Sequence, residues 1–298
     1  RSHFRMTLAQ AFNSLGVVLG VHLGGRLMLS ADIFKNGGAT IADEASRTAG
    51  LAAVNHAFLS IAAFLVALMA LIYVMRHRIE RAVPHAGEAG LPAENVSPLA
   101  ALRSGWAVAG AVAIFLYVGS EVAISSVMIN FLNRPEVLGV GLAVASGMLA
   151  NYYWGGALVG RFVGSALLTV VSAPILLVIM VAMAGLLSLA AFTLTGPAAA
   201  YCALGVGLFN SIMFPTIFSL TFQRSSASSS ATSGLLCVAI VGGAVLPWIA
   251  GFIADKTGSF GHAFIVPVIG YAGILIFALT AARVKGVDKS PVAMAAGH

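Results

Sequence analysis

Apolar residues in this chain run in long unbroken stretches rather than alternating with polar ones. About 20 apolar residues carry an α-helix across a hydrocarbon core. Stretches of that length recur at residues 6–31, 50–75, 104–132, 141–170, 174–194, 196–222, 231–254 and 260–284. Helices that are apolar on every side belong to a chain solvated by lipid. The turns on either side of the fifth stretch are short, marked only by Ser172-Ala173-Pro174 and Thr195-Gly196-Pro197. One interval differs from the others. Residues 76–103 are polar, hold Pro84, Pro92 and Pro98 with charges of both signs, and read as a linker between two bundles. The pattern predicts an all-α, polytopic transmembrane helix bundle of about eight spans.

Composition sharpens this picture. Of 298 residues, 59% are hydrophobic and 9% charged, against about 25% charged in soluble domains. Mean hydropathy is +0.98. A formal charge of +6 spread this thinly is a topology signal and predicts no nucleic-acid partner. With both termini on one side, that side collects Arg1, Arg5, Arg76, Arg78, Arg81, Arg103, Arg161, Arg224, Arg283, Lys285 and Lys289. The other collects Arg26, Lys35, Arg47, Arg134 and Lys256. The richer side is expected to be cytoplasmic. Cys202 and Cys237 fall inside apolar runs and form neither a disulfide framework nor a metal spacing. No signal peptide is read; the chain opens Arg1-Ser2-His3, so either Met6 is the start or the chain is cut from something longer.

Ten carboxylates are present, and only Glu121 lies well inside a span. A carboxylate at that depth costs several kcal/mol unless it is paired, neutralised or facing water. It is either a substrate-binding or proton-accepting group, or a protonated carboxyl hydrogen-bonded to a neighbouring helix. Tyr117 and Ser125 share its helix face, one turn to each side, while Asn130 falls on the opposite face of an ideal helix. All four lysines lie outside the spans, so a retinal Schiff base has no attachment point. No HExxH, intramembrane Asp pair or GxSxG is present, which leaves protease and hydrolase chemistry without residues. His22, His56 and His262 are too scattered to argue for haem, and no cofactor or metal is expected.

Neutral polar groups add more. Gln10 and Asn13 in the first span precede Gly16, Gly20 and Gly24; Asn151, Tyr152 and Trp154 in the fourth precede Gly156, Gly160 and Gly164. Glycines at four-residue spacing let helix backbones approach closely. The first and fourth spans therefore cross at close range, or each glycine stripe packs against some other neighbour. The sixth span carries Asn210 and then Pro215, which removes a backbone hydrogen bond and kinks a helix; the seventh carries Gly242-Gly243 and Pro247. Broken helices furnished with amides, a carboxylate and aromatic rings suit a polyol, with rings covering the apolar side of a sugar.

Several runs resemble a known family. Gln10-Ala11-Phe12-Asn13-Ser14-Leu15-Gly16 is similar to the fifth helix of the fucose/galactose/glucose:proton symporters of the major facilitator superfamily. The run Tyr152-Tyr153-Trp154-Gly155-Gly156-Ala157-Leu158-Val159-Gly160-Arg161-Phe162 resembles their eighth helix. Residues Asn210 to Ser219 resemble their tenth, and Ala239-Ile240-Val241-Gly242-Gly243-Ala244 their eleventh. Tyr117 to Glu121 and Asn130-Phe131-Leu132 look like the glucose/galactose branch, since the fucose branch has glutamine at Glu121 and tyrosine at Phe214.

The resemblance implies twelve helices in two bundles, with the long linker after the sixth. Here the linker follows the second span. Residues 1–75 would then be the last two helices of an N-terminal bundle, 76–103 the cytoplasmic linker, 104–284 a six-helix C-terminal bundle and 285–298 a cytoplasmic tail. Helices one to four, which carry the proton-coupling carboxylates, would be missing. Gly242 and Gly243, on the helix that normally faces the second, should therefore lack their partner. The implied activity is not enzymatic: proton-coupled uptake of a glucose- or galactose-type hexose by alternating access, in a bacterial inner membrane. Its partners are sugar, protons and lipid, and a monomer is favoured. Substrate-binding candidates are Gln10, Asn13, Glu121, Asn130, Asn151, Tyr152, Trp154 and Asn210. Glu121 is read as a sugar ligand rather than the proton carrier. Interface and hinge candidates are Gly16, Gly20, Gly24, Gly156, Gly160, Gly164, Pro215, Gly242 and Gly243. The alternatives are a truncated membrane protein that does not transport, or a carrier of another small solute.

Overall fold

The computed structural model describes residues 15–26, 41, 43–82 and 98–284. Among these, regular structure is almost wholly helical. Helix α1 is Leu15–Arg26 and α2 is Glu44–Ala82. Asp43 caps α2: its carboxylate accepts the Ser46 N–H at 2.6 Å, and that bond holds the carboxyl below its usual range. Helix α2 continues seven residues past Met75, where the linker was expected to begin, because Arg76 to Ala82 holds neither proline nor glycine. No residue of its apolar window is buried; Phe58, Leu59 and Phe64 are all exposed.

The second group of helices is tightly packed. Helix α3 (Gly105–Asn133) starts at Ser104, whose hydroxyl accepts the Ala107 N–H. At about 1.5 Å per residue it is longer than the hydrocarbon core is thick. The fourth span is α4 (Leu142–Met148), a π-turn (Leu149–Trp154) and α5 (Gly155–Leu167). Helix α6 is Ala173–Thr193, with proline in its first turn. The sixth span is α7 (Gly196–Asn210) and α8 (Met213–Arg224). The seventh is α9 (Ser229–Ala239) and α10 (Gly242–Thr257), ended by Gly258 in the left-handed conformation (φ 68°). Helix α11 (Ile265–Arg283) completes the bundle.

Six of the described helices are long and apolar enough to cross a membrane. The other two expected spans are the fourth, divided by its π-turn, and the first, of which only residues 15–26 are described. Helix α3 is the hub of the packing. It touches α4 and α7 through α11, and Ile114, Tyr117, Ile124 and Met128 are buried along it.

Of the two expectations for the glycine stripes, packing against another neighbour holds for the fourth span. A Cβ on Gly160 would collide with the Leu208 carbonyl, and one on Gly164 with the Ile212 side chain; Gly156 also faces Leu208. The stripe of the fourth span therefore seats the sixth, not the first. Gly16, Gly20 and Gly24 have nothing within 4 Å of a modest side chain. The first and fourth spans do meet, but elsewhere: the Ser146 hydroxyl donates to the Val21 carbonyl at 3.2 Å, and Gly25 lies against the same serine. Gly242 does not lack a partner either. It presses on the Phe115 carbonyl of α3, and Gly243 on Val118. Four-residue spacing marks a face for close approach, but it does not say which helix comes close.

A methyl group at Gly242 would overlap backbone, which cannot swing aside. Gly242→Ala should lower stability by about 1–3 kcal/mol, read as an earlier thermal unfolding in detergent. Gly251→Ala, on the same helix with open space around it, should unfold with wild type. Equal melting of the two variants would mean α3 and α10 do not meet as described.

Candidate functional site

The site is built by two interruptions in otherwise regular helices. Pro215 has no N–H to offer the carbonyl four residues back, at Ser211, and its ring crowds that carbonyl. The helix accordingly stops at Asn210 and restarts at Met213, with Ile212 at φ −107° and ψ −1°. A break inside an apolar span leaves backbone groups needing partners. The Asn210 carbonyl finds one in the Tyr117 hydroxyl, at 3.1 Å.

The second interruption is the π-turn. It inserts one extra residue into the turn, and such turns are frequent at functional sites. Here Tyr153 points fully inward, whereas its neighbour Tyr152 is 57% exposed. Gly207 makes the approach possible, because any side chain there would overlap the Tyr153 backbone. The backbone of α7 thus lies directly on the π-turn, and Asn210, one turn later, meets the Tyr153 ring.

The polar groups brought together form a directed set of hydrogen bonds. Tyr271 of α11 donates its hydroxyl to the Asn210 side-chain oxygen at 2.8 Å. The Asn210 side-chain nitrogen donates to the Tyr153 hydroxyl at 3.0 Å. Tyr153 in turn donates to the backbone carbonyl of Glu121 at 3.2 Å. The one Tyr117 hydroxyl proton is shared between the Glu121 carboxylate (Oε1), at 2.8 Å, and the Asn210 carbonyl, at 3.1 Å. The orientation of the Asn210 amide follows from this order, since its oxygen must accept and its nitrogen donate. Glu121 itself is half-buried, with its carboxylate held on the bundle side by Tyr117. Arg161 of α5 lies within electrostatic reach of that carboxylate. Trp154 sets its ring edge against Tyr153, centroids 5.1 Å apart, and Phe214, on the far side of the helix break, lies 6.3 Å from the Tyr117 ring.

The sequence candidates divide accordingly. Glu121, Trp154 and Asn210 come together; Gln10 and Asn13 lie outside the described residues. Asn151 and Tyr152 are on the exposed face of the π-turn, and Asn130 is exposed further along α3. Asn210 is fully buried with both ends of its amide engaged, so it positions Glu121 rather than offering itself to a solute. Pro215 is the breaker it was expected to be, though its kink falls at Ser211-Ile212. Three residues escape sequence reasoning. Tyr153 sits inside the quoted fourth-span motif without a role. Tyr271 is a lone tyrosine in an apolar run, and the buried amide's need for a donor is its only signal. Arg161 counts in the sequence as a topology cation, yet it lies inside the fourth span, between Gly155 and Leu167. An arginine flanked by six residues of apolar helix on each side is the signal that could have found it.

No family model matches the chain. It is 37% identical over 279 residues to a glucose/galactose transporter of Brucella abortus (strain 9-941), covering 94% of this chain and 63% of that one. It is 37% identical to a putative glucose/galactose transporter of Helicobacter pylori (strain J99), covering 92% and 65%. Against an L-fucose-proton symporter of Escherichia coli (strain K12) the identity is 28%, covering 93% and 64%. The chain therefore spans somewhat less than two-thirds of the length of these relatives. Its fold is that of FucP, a major facilitator superfamily transporter solved in the outward conformation: TM-score 0.65 at 24% identity, over 95% of this chain and 69% of that one. A second crystal structure, of the E. coli fucose:proton symporter, gives 0.66 at 23%. Over more than nine-tenths of its length, then, the chain is similar to glucose/galactose transporters and to an L-fucose-proton symporter, and it shares the fold of a major facilitator superfamily transporter.

Proposed function

We propose that the protein containing this chain takes up a glucose- or galactose-type hexose together with protons, with Glu121 as a direct sugar ligand. The single observation that carries this reading is the Glu121 carboxylate. It is half-buried in a transmembrane helix, held by Tyr117 and braced from behind by Asn210 and Tyr153. A fixed carboxylate is a strong acceptor for paired sugar hydroxyls, and Trp154 and Phe214 supply ring faces nearby. The names of the relatives support the sugar class. Residues 1–82 then contribute two helices to an N-terminal bundle, the second ending at Ala82; the linker runs on to residue 103, and 104–284 form the C-terminal bundle and 285–298 a tail. Solute passes as the two bundles rock about a site at the membrane midplane. The multi-pass chain sits in a bacterial inner membrane with both termini cytoplasmic, acts as a monomer and needs no cofactor. Moving Arg161 into the span leaves ten basic residues on the cytoplasmic side against five, which keeps the bias.

A second reading is favoured by the helix α2, none of whose apolar window is buried: these 298 residues by themselves form a membrane protein that does not transport. Uptake by this chain alone, compared with uptake by a protein of the relatives' full length, separates the two.

In the complete protein, Glu121→Gln should raise the KM for hexose about tenfold or more, the scale of losing a hydrogen bond to a charged group. Alkalinisation of the medium per sugar taken up should stay at the wild-type ratio. An unchanged KM removes Glu121 from the sugar site, and loss of alkalinisation with sugar exchange intact makes it the proton carrier instead. Asn210→Ala strands the buried Tyr271 hydroxyl and takes from Tyr153 the bond it accepts, and should cost about 2–4 kcal/mol of stability, seen as early melting in detergent. Tyr271→Phe removes one donor and should cost about 1 kcal/mol. Wild-type melting of Asn210→Ala would show the amide is not the brace described.

A further inference from the structure

Away from Glu121, a cavity of about 620 Å³ opens between the first turns of α3, the end of α8 and the last turns of α11. Its long wall is apolar, formed by Ala109, Val112, Gly273, Ile276 and Phe277. Val112 and Ile276 are 53% and 69% exposed, so the wall faces out of the packed bundle. Its end is polar and carries Arg224. The Arg224 guanidinium lies over the Trp106 ring at 4.9 Å, and Nη2 donates to the Val284 carbonyl at 3.2 Å. The other terminal nitrogen, Nη1, is shielded from solvent and has no hydrogen-bond partner among the described residues. The neighbouring hydroxyls do not supply one. Ser104 is taken by the Ala107 and Ser226 N–H groups and by the Ser225 hydroxyl, and Thr280 by its own helix at Ile276.

The charge at this end is of one sign. Arg103 precedes the lining residue Ser104, Arg283 precedes Val284, and among the described residues no carboxylate lines the cavity. A buried guanidinium donor without an acceptor, at the mouth of an apolar groove in a transmembrane surface, asks for an anion joined to a hydrocarbon chain. The chain's own tail is a poor match: residues 285–289 hold two lysines and one aspartate, adding cations to cations.

We propose that this groove binds one anionic phospholipid. Its phosphate rests on the Arg224 guanidinium above Trp106, and one acyl chain lies along Ala109, Val112, Gly273 and Ile276. The site is separate from the sugar reading and stands whether or not that reading holds.

Native mass spectrometry of the full 298-residue chain in a neutral detergent tests this, with dioleoyl phosphatidylglycerol, dioleoyl phosphatidylcholine and inorganic phosphate as probes. One phosphatidylglycerol should stay bound at roughly five- to tenfold lower concentration than phosphatidylcholine requires, and inorganic phosphate should not displace it. Arg224→Gln should abolish the preference, and Arg224→Lys should keep part of it. Ala109→Phe, which fills the groove and leaves the charge in place, should weaken both lipids alike. Gel filtration shows which variants remain folded, and Ala109→Phe alone is sufficient if Arg224→Gln does not. Equal binding of the two lipids overturns the proposal, as does phosphatidylglycerol binding unchanged by Arg224→Gln and Ala109→Phe. Displacement by phosphate alone would reduce the site to a free-anion site, and binding that appears only after removal of residues 285–298 would assign the groove to the tail.

Discussion

A primary amide buried without any exposure must have its hydrogen bonds met by protein, and Asn210 imposes that requirement at the centre of an apolar bundle. Its oxygen needs a donor and receives Tyr271; its nitrogen needs an acceptor and receives Tyr153. Meeting both brings α11, the π-turn of the fourth span and the break in the sixth to one point. Tyr153 and Tyr117 then carry the order forward to Glu121. In a low-dielectric interior each such bond is stronger than in water, and each unmet group is correspondingly costly. The rigidity of the carboxylate thus follows from the satisfaction of an amide that never touches solute.

The two helix interruptions are what make this geometry reachable. A straight sixth span would keep the Asn210 carbonyl in its own ladder and out of reach of Tyr117. A regular fourth span would turn Tyr153 along the helix surface toward the exposed position that Tyr152 occupies. Gly207 removes the last obstacle by letting α7 lie on the π-turn backbone. At the C-terminal end of α8, Arg224 is handled differently: it leans on Trp106 and a carbonyl rather than on a carboxylate.

Much of the fold is legible in the sequence because burial in lipid writes itself as length: among the described residues, each apolar run of about 20 is one helix or two helices joined at a break. Glu121 is legible for the same reason, as a carboxylate with no soluble excuse for its position. What composition and spacing do not carry is pairing. The glycines of the fourth span announce a close contact, but only the fold shows Leu208 and Ile212 in it, and Gly242 lies on Phe115 where an absent helix was expected to leave it bare. Asn210 is legible as a polar residue out of place, yet its role as a brace depends on Tyr271, sixty-one residues away. A π-turn has no sequence signature of its own, so the inward tyrosine of the Tyr152-Tyr153 pair could not be told from the outward one. Arg161 is missed by tallying cations without asking how far each lies from a span end.

The dependence of Glu121 on the amide behind it is open to one direct measurement, a double-mutant cycle on hexose affinity in the complete protein using Tyr271→Phe and Glu121→Gln. If Tyr271 acts through Asn210 and Tyr153 on Glu121, its replacement weakens binding in the wild-type background and changes little once Glu121 is glutamine. Losses that simply add in the double variant would contradict the brace and leave Glu121 and Asn210 as unrelated features of the bundle.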